Sequence, residues 1–287
     1  MRFAKGHGTG NDFVILPDLD GLLDLSAELV ARICDRHTGL GADGVLRVVR
    51  TAAASSPGAS AGGTAEWFMD YRNADGSLAE MCGNGVRVFV QYLLESGLAA
   101  GPEISVATRA GVRRVRVAAD GQLTVDMGAV RLVGEGAVEL GGQQLTGLVV
   151  SVGNPHLACV IEGPVAAVDL AAPRLLSADG HAGEVNVEVL RIIGDREIEM
   201  RVHERGSGVT LSCGTGAVAA AVAAAAAVGD WPPEAPAAWT VHVPGGRLAV
   251  TPSATASLLT GPAAIVARGE LAASWLAGTS PARPATG

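Results

Sequence analysis

The pattern of apolar and polar positions predicts a chain of mixed strands and helices. EWFMDYRN (66–73) and EIEMRVHER (197–205) mix β-branched or aromatic residues with polar ones and predict strands. VRVFVQYLLESG (86–97) carries apolar residues at helical spacing and stops at Gly97, a residue suited to the turn that ends a helix. AVAAAVAAAAAVG (217–229) is alanine-rich, strongly helix-prone, and also ends on glycine. It has no polar face, so it must be buried on most sides. SAELVARICDRH (26–37) predicts an amphipathic helix beginning at Ser26, while VLRVV (45–49) and HLACVI (156–161) predict strands.

The pattern is built twice. Laid together without a gap, MDYRNADGSLAEMCGNG from Met69 and MRVHERGSGVTLSCGTG from Met200 set Met on Met, Asn73 on Glu204 and Cys82 on Cys213. Upstream, VLRVV echoes VLRII (189–193) at a different distance from its methionine. The misfit nearly matches the stretch TAAASSPGASAGGT (51–64), whose Ala, Ser, Gly and Pro content marks a flexible insertion. A weaker echo joins GNDFVI (10–15) to GNPHLACVI (153–161). Three echoes in one order favour a duplication over chance among glycine-rich strings. They predict two similar α/β halves, each with a strand, a Cys-Gly-X-Gly turn and a helix. The closing GTSPARPATG (278–287) predicts a disordered tail.

Composition narrows the function. A net charge of −8 and a pI near 5.2, with no basic run, argue against nucleic acid or an anionic membrane as partner. The apolar run Ala217–Val228 falls well short of the ~20 residues a membrane helix needs. The N-terminal MRFAKGHGTGNDF lacks the apolar core of a secretory signal, so a cytoplasmic location is expected. Four cysteines without a CxxC pair suggest neither a disulfide framework nor a zinc site. Lys5 is the only lysine, which leaves pyridoxal phosphate one poor anchor. GLGADG (39–44) matches GxGxxG but follows a helix and precedes a strand, the reverse of a dinucleotide site. No cofactor and no metal are therefore expected.

Chemistry then rests on the two cysteine turns. A thiol at a helix N-terminus feels the positive end of the helix dipole and nearby backbone N–H groups, which favour the thiolate and lower its pKa from about 8.5. The glycines allow close backbone approach, and the free N–H groups can hold a carboxylate. Two such units facing one ligand suit inversion of a carbon stereocentre, with a base on one face and an acid on the other. Cys34 and Cys159, in a predicted helix and strand, read instead as small buried apolar residues. A Cys82–Cys213 bridge, as in a thiol switch or binding module, remains open on these grounds.

Nearly end to end, the chain resembles the cofactor-independent diaminopimelate epimerases. The motifs that carry the resemblance are GTGNDF (8–13), DRHTGLGADG (35–44), NADG (73–76) with MCGNG (81–85), GNPH (153–156), VNVE (185–188), and HERG (203–206) with SCGTG (212–216). The resemblance implies an α/β (α+β) fold of two pseudo-symmetric halves, each a curved, mostly antiparallel sheet wrapped on a central helix, with the site between them. Residues 1–122 and 262–277 would form the first half and 123–261 the second. It implies acid/base thiols at Cys82 and Cys213, with His156 and Glu204 as polar partners tuning them. Substrate contacts would come from Asn11, Asn73, Asn154, Asn186, Glu204 and Arg205, and Gly83, Asn84, Gly214 and Thr215 would hold the α-carboxylate. The implied partner is a small diamino diacid, LL-diaminopimelate, converted to the meso form; a homodimer is compatible with the sequence but not specified by it. A racemase for another amino acid on the same scaffold is the alternative, although proline racemases resemble CGHG rather than CGNG in the first half.

Overall fold

The computed structural model describes residues 1–55, 65–181 and 183–278. Among these, 18 strands form one hydrogen-bonded network whose order records the duplication. The first-half strands are β1 (Arg2–Gly8), β2 (Asn11–Pro17), β3 (Gly44–Arg50), β4 (Trp67–Asn73), β5 (Glu103–Thr108), β6 (Gly111–Val117) and β7 (Leu123–Gly128). The second-half strands are β8 (Arg131–Leu140), β9 (Gln143–Ser151), β10 (Pro155–Val160), β11 (Arg174–Ala178), β12 (Asn186–Gly194), β13 (Glu197–Glu204), β14 (Gly208–Thr210), β15 (Trp239–Val243), β16 (Gly246–Thr251) and β17 (Ser257–Gly261). The last strand, β18 (Ala264–Glu270), returns to pair with β1.

One sheet runs β18-β1-β2-β3-β4-β5-β6-β7 and the other β8-β9-β10-β12-β13-β15-β16-β17. Step for step, both read antiparallel, antiparallel, parallel, antiparallel, parallel, antiparallel, antiparallel. They join edge to edge through β7 and β17. The likeness extends to single residues. The pair His203↔Val209 in the β13–β14 hairpin is matched by the bridge Arg72↔Leu78, at the same offset that carries Cys82 onto Cys213.

Each sheet closes on one central helix. In the first half α2 (Gly83–Glu95) packs on β1, β2 and β7, and in the second α3 (Gly214–Ala227) packs on β10, β12, β9 and β16. Every residue of α3 from Gly214 to Ala225 is buried, as a helix without a polar face requires. Alanine suits this place because it leaves little bulk between helix and sheet and costs no side-chain entropy. Gly97 (φ 66°) and Gly229 (φ 75°) adopt the left-handed conformation just past the two helix ends. The amphipathic helix is α1 (Ala27–Cys34), capped by the Ser26 hydroxyl on Leu29 N–H.

One expectation changes. The start of the segment 51–64 is not loose: Thr51–Ala53 form a helical turn, and Ala53 and Ala54 pack against Val49, Phe68 and Ala107. The apolar face of an alanine pair is enough to seat it on the back of the sheet. Residues 56–64 of the insertion and 279–287 of the tail lie outside the described residues. Cys34 and Cys159 are buried in α1 and β10, where loss of water pushes each thiol up to about 12. GLGADG connects α1 to β3. No described helix is long and apolar enough to cross a membrane.

Candidate active site

The N-termini of α2 and α3 abut. A Cβ added at Gly214 would lie 3.2 Å from Asn84 N and 3.2 Å from Gly83 Cα, so glycine is what allows the two turns to touch. Each cysteine is the N-cap of its helix. Cys82 Sγ accepts from Gly85 N–H at 3.3 Å, and Cys213 Sγ from Gly216 N–H at 3.4 Å. The strand before each turn leads the chain into the seam, and the helix after it carries the free N–H groups.

Both thiols line one cleft of about 380 Å³, together with Asn11, Asn73, Gly83, Asn154, Asn186, Glu204, Arg205, Gly214 and Thr215. Eleven of the thirteen site residues expected from sequence therefore meet in one place. The other two, His156 and Asn84, are fully buried behind it. Asn84 ties the halves together: its Nδ2 donates to Ser212 O (3.2 Å), while its Oδ1 accepts from Arg87 (2.7 Å). His156 sits beneath α3, with Nδ1 2.7 Å from Glu188 Oε1 and Nε2 3.1 Å from Asn154 Oδ1.

The asparagines differ in how much they have to offer a ligand. Asn186 spends its amide on the cleft wall, donating to Pro155 O (3.0 Å) and accepting from Arg205 N (2.9 Å). Asn73 braces its own turn through Ser77 Oγ (3.0 Å). Asn11 donates to Asp43 Oδ2 (2.7 Å), which turns its Oδ1 toward Cys82 Sγ (3.6 Å). The guanidinium-bearing Arg205 is exposed at the rim.

Electrostatics overturn one expectation. The helix N-termini favour thiolates, but burial outweighs them. Loss of water pushes Cys82 up to about 12, against the Gly85 N–H that favours its anion. Cys213 is pushed well above its ordinary value by burial and then by the carboxyl groups of Glu204 and Glu188, and Glu204 raises Cys82 as well. Burial also raises Glu204, against hydrogen bonds from Thr210 and Cys213. Burial thus favours the thiol form of both cysteines, and all four cysteines are free of disulfides. Among the described residues, no group of His, Cys, Asp and Glu is placed to hold a metal ion.

Sequence reasoning missed Glu188 and Arg87. Arg87 is 0% exposed, with Asn84 Oδ1 (2.7 Å) and Thr9 Oγ1 (3.3 Å) as its described hydrogen-bond partners, and burial pulls its pKa down to about 10. Its place inside MCGNGVR was visible, but nothing in the string says that the arginine points inward. Glu188 lies inside VNVE, where the asparagine drew attention and the carboxylate did not.

Comparison with known proteins is unambiguous. The sequence profile of diaminopimelate epimerase matches residues 3–133 and 148–266. The diaminopimelate epimerase of Thermobifida fusca is 57% identical over 274 residues, covering 94% of this chain and 98% of that protein. That of Mycobacterium tuberculosis is 51% identical over 289 residues, covering 96% and 98%. Among solved structures, a phenazine biosynthesis protein of the PhzF family from Bacillus anthracis superposes with a TM-score of 0.64 at 16% identity, covering 95% of this chain and 99% of its own. A hydroxyproline epimerase from Agrobacterium vitis gives 0.61 at 15%, covering 94% and 91%. At such identity these two show a shared fold, that of two pseudo-symmetric sheets each wound on a helix. The profile and the curated relatives settle the family: the chain belongs to the diaminopimelate epimerases and is an isomerase.

Proposed function

We propose that the protein interconverts LL- and meso-diaminopimelate by proton transfer between Cys82 and Cys213, without a cofactor. One observation carries the reading: two thiols, each capping a helix, line a single cleft where those helices meet. The α-carboxylate would lie across the abutting N-termini, on backbone N–H groups of Gly83, Asn84, Gly214 and Thr215. That placement sets the α-carbon between the thiols. The thiolate of one cysteine takes the α-proton, and the electron pair left on carbon delocalises into the carboxylate. The opposite thiol then gives its proton to the other face, so the negative charge ends on the second sulfur. Because burial favours both thiols, one must first lose its proton to solvent as substrate enters, and the substrate's α-ammonium supplies the counter-charge for the thiolate left behind.

Arg205 at the rim, with Asn73 and Glu204, suits the distal carboxylate and ammonium. Asn154 and Asn186 complete that wall, while His156 and Glu204 tune the proton on the Cys213 side. We assign 1–122 with 262–277 to the first half and 123–261 to the second, with the site at their seam. Four unpaired cysteines suit a reducing cytoplasm.

The test is proton NMR of LL-diaminopimelate with the reduced protein in heavy water. Incorporation of α-deuterium together with the meso isomer is the expected result. Cys82→Ser and Cys213→Ser should each lose turnover by roughly 100-fold or more while staying folded. Full epimerisation by either single variant would eliminate the two-thiol mechanism and leave the thiol switch as the better account.

A further inference from the structure

The duplication places unlike residues at matched positions. The echo between GNDFVI and GNPHLACVI sets Phe13 against His156, and the strand register, Ile15 beside Leu46 and Ala158 beside Glu188, sets Leu46 against Glu188. In the first half this layer is apolar, with Phe13 edge-on to Tyr71 at 5.8 Å. In the second half it holds a histidine and a glutamate, both 0% exposed and 2.7 Å apart. Burying two polar side chains where the sister half uses none is costly unless they do something a hydrophobic pair cannot.

The hydrogen bonds indicate what. Asn154 Nδ2 lies 3.4 Å from Thr215 Oγ1, so its Oδ1 is the atom that faces His156 Nε2. An amide oxygen only accepts, so Nε2 must carry a hydrogen. The other ring nitrogen meets Glu188 Oε1, and Glu188 Oε2 has no partner. The carboxyl thus serves the imidazole alone. Thr215 Oγ1 in turn lies 3.4 Å from Cys213 Sγ.

We propose that Glu188 is a positioning residue. Through its bond to His156 Nδ1 it fixes the imidazole with Nε2–H on Asn154, and so turns the Asn154 amide to present its NH₂ group at the start of α3. Asp43 does the corresponding work in the first half with the opposite result. It takes the NH₂ of Asn11 and leaves the carbonyl oxygen facing Cys82. One thiol is therefore flanked by an acceptor and the other, through Thr215, by a donor. A carboxylate, half-buried for Asp43 and fully buried for Glu188, sets the orientation of the asparagine on each side. Gly216 is part of the device, because a Cβ there would lie 2.6 Å from Glu188 Oε1.

The inference rests on the two-thiol reading for its effect on turnover, but not for the geometry. Two conservative variants separate position from charge. In Glu188→Gln the amide can donate to Nδ1 from the same distance, keeping the contact and losing the charge. In Glu188→Asp the carboxylate is kept but withdrawn by one methylene. Positioning predicts that Asp loses about tenfold or more in kcat/KM, while Gln stays within about threefold of the parent, in line with one lost orienting hydrogen bond. The ¹⁵N resonance of His156 Nδ1 should be that of a hydrogen-bonded nitrogen in the parent and in Gln, and that of an unpartnered nitrogen in Asp only. Activity retained by Asp and lost by Gln would overturn the proposal in favour of charge. Equal activities, with only Tm altered, would overturn it in favour of a structural role. If the parent does not epimerise diaminopimelate, the functional reading falls, while the Nδ1 resonance still decides the role of Glu188.

Discussion

The matched glycines Gly85 and Gly216 give the sharpest test of the asymmetry between the halves. Both occupy the third helical position after their cysteine, and both donate the N–H that caps its sulfur. A methyl at Gly85 would find its nearest neighbours at 3.4 Å, in ordinary contact with Cys82 Cβ and Leu46 Cδ2. A methyl at Gly216 would sit 2.6 Å from Glu188 Oε1, closer than a carbon and an oxygen tolerate. Replacing glycine by alanine inside a helix gains about 1 kcal/mol in propensity. Gly85→Ala should keep that gain. Gly216→Ala must displace the Glu188 carboxylate from His156, and a buried group left without its partner costs about 1–3 kcal/mol. The two effects oppose each other, so Gly216→Ala should be net destabilised by about 1 kcal/mol and lie roughly 2 kcal/mol below Gly85→Ala. Urea unfolding of both variants, compared by midpoint at a common m value, reads that gap. A Gly216→Ala protein as stable as Gly85→Ala would refute the steric argument and with it the tight seat of Glu188.

Three further outcomes follow from the same geometry. Asp12, half-buried and hydrogen-bonded by Arg36 and Lys5, has its carboxyl held at about 2 instead of 3.8. This stabilisation is present above pH 3.8 and is lost as pH falls through about 2, so the stability gap between the parent and Asp12→Asn, on the order of 2 kcal/mol at pH 6, should shrink in acid; a gap that does not change with pH refutes the assignment. Arg87→Met removes a buried cation whose hydrogen-bond partners are neutral, so Tm should hold or rise while kcat/KM falls about tenfold for want of its charge near Cys82; a variant with parent activity would show that the charge is idle. Alkylation by iodoacetamide, read by peptide mass spectrometry across pH 7–10, should label Cys82 before Cys213, which is more buried and lies under two carboxyl groups; the reverse order would contradict the electrostatic picture.

The duplication was legible because it is written in short strings whose order survives. The strand-turn-helix unit needs an apolar strand, a glycine turn and a helix-forming run, and each leaves a local mark. The alanine-rich helix gave away its burial for the same reason: no polar residue was available to face water. Glu188 and Arg87 could not be seen because both are charged residues in apolar strings, where the bland expectation is an outward turn. Whether the side chain points in depends on what the other elements offer it. For Arg87 these are Thr9, from the first hairpin, and Asn84. For Glu188 the partner is His156, on a neighbouring strand. The thiol pKa values erred for a related reason. The helix dipole is a local property visible in CGNG and CGTG, whereas the loss of water comes from the meeting of two distant helices.

A scaffold built from two equal halves poses a chemical problem for the two-thiol reaction proposed above, which needs one thiol and one thiolate. If both cysteines had the same surroundings, nothing in the protein would distinguish acid from base. The helix caps, the glycines and the sheet order preserve the symmetry, and they set the two sulfurs at the two sides of one cleft. The polar residues break it at three matched places: Asn73 against Glu204, Phe13 against His156, and Leu46 against Glu188. Each substitution adds a titratable side chain to the second half; of the two carboxyl groups, Glu204 raises both thiols and Glu188 adds a further push on Cys213. Negative charge next to a thiol disfavours its anion, so Glu188 biases the proton toward Cys213 and leaves Cys82 the easier thiolate. Duplication therefore accounts for the position of the two sulfurs, and the later divergence of the residues behind them accounts for their difference.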